Sequence, residues 1–144
     1  MKVVVDASVI LAFVIPEENE HDEAARFLAY CETGKHQILF PTLALAEVSG
    51  GVARRKRDPD KAPLAVARMR RLSGVRFFPL TEEVAEAASR LAGRCSLRGA
   101  DAVYCQIARE KDVPLITFDL EIRERVAGVV TAICPQAWMD AREV

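Results

Sequence analysis

KVVVDASVIL, residues 2–11, sets three consecutive valines against an acid and then opens a second apolar run. So short a β-branched run reads as a strand buried on both faces, the form a central parallel strand takes. Asp6 ends that strand, and Ala7–Val14 reads as the helix that follows. The same alternation repeats outward along the chain. QILF (37–40), VRFFPL (75–80), PLITF (114–118) and VVTAI (129–133) read as further strands. Helical patterns fill 19–33, 42–56, 60–73, 81–94, 100–111, 120–126 and 135–142. Thr42, Asp60 and Thr81 stand where N-caps belong, and Gly34, Gly74 and Gly128 just past helix ends. Strands alternating with helices need crossovers. The sequence therefore predicts one domain, 1–144, with a three-layer α/β/α fold and a mostly parallel central sheet.

The composition narrows the function classes. With 51% hydrophobic residues in 144, the chain can bury a real core without staples. No stretch approaches the roughly 20 apolar residues of a membrane span. Asp6 interrupts the N-terminal run, and no small-residue cleavage site follows it, so a cytoplasmic protein is expected. Cys31, Cys95, Cys105 and Cys134 form no C-x-x-C pair and read as small hydrophobes. His21 and His36 lack metal-type partners at short spacing. A zinc site and a Ser-His-Asp triad are both disfavoured.

The formal net charge of -1 hides a segregation. Residues 1–53 carry three basic and eight acidic side chains, 54–76 carry nine and two, and 77–144 carry eight and eleven. A net of +7 is thus concentrated in one block. Arg54, Arg55, Lys56 and Arg57 lead it, with Arg68, Arg70, Arg71 and Arg76 behind; Arg98 is a further candidate phosphate contact. Three readings stay open: a wall for RNA phosphates, a seat for an acidic protein tail, or pairing with the acids of 17–23. Phe13, Phe27, Tyr30, Phe40, Phe77, Phe78 and Tyr104 read as core, and aromatics are too few and scattered for a base-stacking platform.

In parallel sheets, sites form beyond the carboxyl ends of the strands. Asp6 and Asp119 end strands, and each also stands where it would cap the next helix. Asp101 lies in the first turn of its helix, where a negative charge suits the dipole. Glu47 falls on the small, apolar face of its helix, beside Leu43, Ala44 and Gly51, where an unpaired carboxylate is costly. Either a buried Arg or a bound cation would explain it. Clustered carboxylates raise one another's pKa values unless a positive charge sits among them. Mg2+ and Mn2+ prefer such all-oxygen ligands and suit phosphodiester hydrolysis.

VVVDASVIL around Asp6, PTLALAEV around Glu47, RGADAVYCQIA around Asp101 and LITFD around Asp119 resemble the ordered motifs of PIN-domain ribonucleases. The length and the closing segment with Pro135 and Trp138 resemble the VapC-like toxins of toxin–antitoxin pairs. The resemblance implies a Mg2+- or Mn2+-dependent endoribonuclease, homodimeric, acting on RNA and silenced by a cognate antitoxin. It assigns Asp6, Glu47, Asp101 and Asp119 as the catalytic, metal-holding quartet, with Asp6 and Asp101 as principal ligands. Ser8 and Thr117 match the hydroxyl residues that support the first and last acids, though Ser8 also reads as a capping hydroxyl. Glu121, two residues past Asp119, is an alternative fourth acid. Leu11, Phe13 and Val14 are candidates for a partner groove.

Competing folds with acids at strand ends fare worse. A haloacid-dehalogenase-type phosphatase needs a second Asp where Ser8 stands. A receiver domain needs a phosphoacceptor Asp and a late Lys where Leu80 and Cys134 stand. An RNA-processing PIN nuclease and a catalytically silent RNA- or protein-binding module remain as alternatives.

Overall fold

The computed structural model describes residues 1–143. β1 (Lys2–Val5) leads into α1 (Ala7–Val14) and α2 (His21–Thr33), then β2 (Gln37–Pro41) and α3 (Leu43–Lys56). A 3-10 turn at Pro59–Lys61 precedes α4 (Ala62–Arg70) and β3 (Val75–Phe78). α5 (Glu82–Cys95) and α6 (Gly99–Lys111) follow, then β4 (Leu115–Ile116), α7 (Leu120–Arg125), β5 (Ala132–Ile133) and α8 (Pro135–Asp140). The five strands form one parallel sheet in the order β3-β2-β1-β4-β5. The fold is the α/β/α sandwich that the alternating pattern predicts.

The order explains where a site can form. From β1 the chain winds outward to β2 and β3, and α1 packs on α2, α3 and α4. It then crosses back through α5 and α6 to β4 and β5, with α6 lying on β1, β2 and β4. Right-handed crossovers put these two windings on opposite faces. The reversal falls between β1 and β4, whose carboxyl ends diverge and leave a crevice. Val3, Val4 and Val5 are fully buried at the centre, beside Ile38, Leu39, Phe40, Leu115 and Ile116. Each such side chain contributes about 1.5–3 kcal/mol relative to exposure.

Several boundaries differ from expectation. β3 stops at Phe78 because Pro79 follows and offers no N–H to a ladder. β4 and β5 are two-residue strands, extended by the bonds Leu115 N–H to Thr131 O and Thr117 N–H to Ile133 O. The helix expected over 60–73 begins as the 3-10 turn, and Asp58, not Asp60, caps it by accepting from Asp60 N–H. Thr81 caps α5 through Val84 N–H, whereas Thr42 makes no side-chain cap. α3, α5 and α6 end on left-handed Arg57, Ser96 and Asp112, none of them the glycine usual at that position. Gly74 and Gly128 do take positive φ; Gly34 does not, and Lys35 beside it does.

Cys31 and Cys105 are buried, which pushes each thiol up to about 12. No helix among the described residues is long and apolar enough to cross a membrane.

Candidate active site

Asp6 stands where β1 gives way to α1, at the N-cap position, yet its side chain makes no capping bond. The carboxylate is 6% exposed. Its Oδ2 accepts a hydrogen bond from Thr117 Oγ1 at 2.8 Å, reaching across from the end of β4. Thr117 Oγ1 also accepts from Asp119 N–H at 3.0 Å, and Ser8 Oγ accepts from Phe118 N–H at 3.2 Å. Ser8 Oγ stands 3.4 Å from Thr117 Oγ1, and its hydroxyl also bears on the Asp6 carboxylate. Ser8 thus ties α1 to the segment after β4 and caps nothing among these contacts. Burial drives the Asp6 pKa above the ordinary carboxylate value, and the hydroxyl bonds offset only part of that.

Asp119 does two jobs. Its Oδ1 caps α7 by accepting from Ile122 N–H at 3.2 Å, as its position suggests. Its Oδ2 remains on the crevice side, 3.7 Å from Arg98 Nη2. Asp101, in the first turn of α6, lies 3.4 Å from Arg98 Nε through its own Oδ2. Burial is the main cause that raises the Asp101 pKa, followed by the charge of Asp6, with Arg98 opposing.

Glu47 projects from α3 without the buried Arg that would account for it. Its Oε1 is buried and has no hydrogen-bond partner, and no ion pair reaches it among the described residues. The Tyr104 hydroxyl faces this carboxylate but likewise completes no hydrogen bond. Burial raises the Glu47 pKa first, and the charges of Asp6 and Asp101 raise it further. Burial also raises the Tyr104 hydroxyl, helped by the nearby Glu47 charge. Tyr104 is the neighbour that the sequence left in the core. Its place three residues after Asp101, on the same face of α6, is the signal that marks it.

The fold therefore gathers the four acids within electrostatic reach of one another. Glu121 is exposed and ion-paired to Arg125 at 2.5 Å, and it lines the same cavity as Arg98 and Asp101. Among the described residues, no three His, Cys, Asp or Glu side chains close tightly enough to enclose an ion unaided. Mg2+ asks for less, because it keeps several waters and is held through one or two carboxylates. An all-oxygen donor set, an unpartnered buried Oε1 and acids strained by mutual charge all fit such an ion.

The basic block is partly used up within the molecule. Arg55 Nε pairs with Glu18 Oε1 at 3.1 Å, and Lys56 Nζ with Glu17 Oε1 at 2.5 Å. Arg68 lies over the Phe13 ring at 4.6 Å, and Arg70 over Phe77 at 5.4 Å. Arg54 and Arg57 are exposed and form no ion pair among the described residues. At 1.5 Å per residue they lie about 10 to 15 Å beyond Glu47 along the same helix.

Comparison with solved structures gives the same architecture. The Mycobacterium tuberculosis VapC20 toxin, described as sarcin-ricin loop cleaving, superposes with a TM-score of 0.73 at 22% identity, covering 85% of this chain and 93% of that one. FitAcB from Neisseria gonorrhoeae gives 0.70 at 18% identity, over 93% and 98% of the two chains. VapBC2 from Rickettsia felis, bound to a promoter DNA fragment, gives 0.69 at 13%, over 92% and 98%. No curated protein sequence matches. The family model described as the PIN domain matches residues 3–128, which takes in all four acids. On that match, the chain belongs to the PIN domain family.

Proposed function

We propose that this chain is a Mg2+- or Mn2+-dependent endoribonuclease, and the toxin of a toxin–antitoxin pair silenced by its cognate antitoxin. The observation that carries the reading is Glu47 Oε1, buried without a partner beside Asp6 and Asp101, each held above its ordinary pKa. A fold rarely tolerates three such groups unless something positively charged is meant to join them. Asp6 and Asp101 would hold the ion, with Glu47 and Asp119 completing the charge. When bound, the ion supplies Lewis-acid activation of water and stabilisation of the leaving oxygen.

The chain's own residues do the rest. Thr117 fixes one oxygen of Asp6, and Ser8 braces Thr117, so the carboxylate is oriented before substrate arrives. Arg54 and Arg57 offer free guanidinium groups to backbone phosphates. Arg55 and Lys56, paired only at the surface, add to that field at little cost. The toxin reading is supported by the neighbours' own descriptions as VapC, VapBC and FitAB proteins. A homodimer belongs to the same proposal, and the apolar groove of about 600 Å³ lined by Leu43, Leu80, Ala88, Ala92 and Val103 is a surface it would cover. We take 1–144 to act as one nuclease domain, Val144 lying outside the described residues, in the cytoplasm.

The test incubates the purified protein with total RNA and Mg2+ or Mn2+, with EDTA and Asp101→Asn controls. Cleavage that EDTA and the substitution both abolish supports the reading. RNA left intact under all conditions would replace it with a silent binding module.

A further inference from the structure

Arg98 differs from every other basic residue in the chain. It immediately precedes α6 with extended backbone (φ -66°, ψ 152°), and its side chain reaches back over the acids. The guanidinium meets Asp101 through Nε and Asp119 through Nη2. Both contacts, 3.4 and 3.7 Å, are longer than the 2.7–2.9 Å of a strong charge-assisted bond. The side chain itself is 77% exposed. Among the described residues, no other cationic side chain pairs with any of the four acids.

The cluster is therefore lopsided. Asp101 and Asp119 share a cation, whereas Asp6 has neutral donors only and Glu47 Oε1 has no partner. Asp119 has spent Oδ1 on the cap of α7, and its remaining oxygen is the one that Arg98 faces. A second divalent ion on this side would have to expel the guanidinium and settle for a single free Asp119 oxygen. An ion held by Asp6 and the other oxygen of Asp101, with Glu47 beside it, meets no such competitor.

We infer that Arg98 is the chain's own cation for the Asp119 side of the cluster, which leaves Asp6, Glu47 and the Asp101 oxygen that Arg98 does not face to take one divalent ion. This rests on reading the acids as a divalent-ion site. Arg98 neutralises carboxylates but offers no vacant coordination position, so it substitutes for the charge of a second ion and not for its chemistry. It also repels the ion that does bind, and loosens it.

Counting bound Mn2+ tests this without any activity measurement. Titrations followed by electron paramagnetic resonance and by calorimetry would compare the wild type with Arg98→Gln, Arg98→Lys and Asp6→Asn. The wild type and Arg98→Lys are expected to bind one ion. Arg98→Gln is expected to bind a second, and to hold the first roughly 3- to 10-fold tighter, as loss of one screened nearby charge implies. Asp6→Asn should weaken the single site. Two ions on the wild type, or one ion bound identically by the wild type and Arg98→Gln, overturns the inference while leaving the metal site standing. No Mn2+ on any variant overturns both. The exposed position of Arg98 means Arg98→Gln should fold normally, which circular dichroism confirms or denies.

Discussion

Replacing Asp6 by Asn should make the metal-free protein more stable. The carboxylate is almost wholly buried and receives a hydroxyl hydrogen bond from Thr117. A bond to a charged acceptor contributes about 1.5–3 kcal/mol and one to a neutral acceptor about 0.5–1.5 kcal/mol, so weakening it costs about 1 kcal/mol. Against that stands burial of a charge, which costs several kcal/mol even after relaxation. Repulsion among Asp6, Asp119, Glu47 and Asp101 adds to the strain. The net favours Asn by about 2 kcal/mol, which raises Tm by roughly 5 to 8 °C in a domain of this size. Thermal unfolding in EDTA at neutral pH measures it. A saturating divalent ion should then reverse the order, since at a hundredfold excess over Kd it stabilises the wild type by about 2.7 kcal/mol and the variant little. The pH dependence has a definite sign. Because the folded pKa lies above the ordinary 3.8, the native state binds more protons just above that value. Stability of the metal-free wild type therefore rises as pH falls from neutral toward that value, and Asp6→Asn removes its share of the slope. Asn caps helices as well as Asp does. An unchanged or lowered Tm would show that Asp6 serves the fold and refute the argument.

Four further outcomes follow from the same geometry. Thr117→Val keeps the shape but deprives Asp6 of its donor and Asp119 N–H of its acceptor, and should cost about 1–3 kcal/mol in urea unfolding. Arg55→Ala breaks an exposed pair with Glu18 and should move stability by no more than about 1 kcal/mol in the same assay. Neutralising Arg54 and Arg57 together should lower the slope of log affinity against log salt by about 1.4 for single-stranded RNA, read by fluorescence anisotropy. Trp138→Ala should cost about 3–5 kcal/mol in thermal unfolding, because the buried indole meets Phe27 and Tyr30 edge to face.

The sheet was legible because its strands are short, apolar and separated by helical periods, and in β1 the acid at position 6 separates a buried strand from a leader-like apolar run. The four acids were legible as misplaced charges: two at strand ends, one opening a helix, one on an apolar face. Helix ends were harder, since Arg57, Ser96 and Asp112 take a left-handed conformation that composition does not announce. Tyr104 read as core because a buried phenol and a site residue look alike until the Glu47 side chain is placed against it. Arg98 read as a candidate phosphate contact, and only the chain reversal before α6 turns it over the acids. Of the three roles left open for the basic block, pairing with the acids of 17–23 is the one Arg55 and Lys56 take, though the sequence did not say which cations would pair. Glu17, Glu18 and Phe13 lie far from the block in sequence and reach it only in the fold.

Where the acids come from also says why the site is costly to hold. Asp6 and Glu47 belong to the winding through α1 and α3, Asp101 and Asp119 to the return through α6 and β4. Repulsion within the cluster therefore pushes the two halves of the sheet apart at the reversal between β1 and β4. The Thr117 bond to Asp6 joins the same two halves, as does the Ser8 bond to Phe118 N–H. These hydroxyls thus act as clasps across the seam as well as orienting groups. Their loss should loosen the crevice before it unfolds the sheet, so hydrogen exchange in Thr117→Val should quicken first at Phe118 and Asp119. Uniform quickening through β1 and β2 would mean that the seam carries no strain of its own.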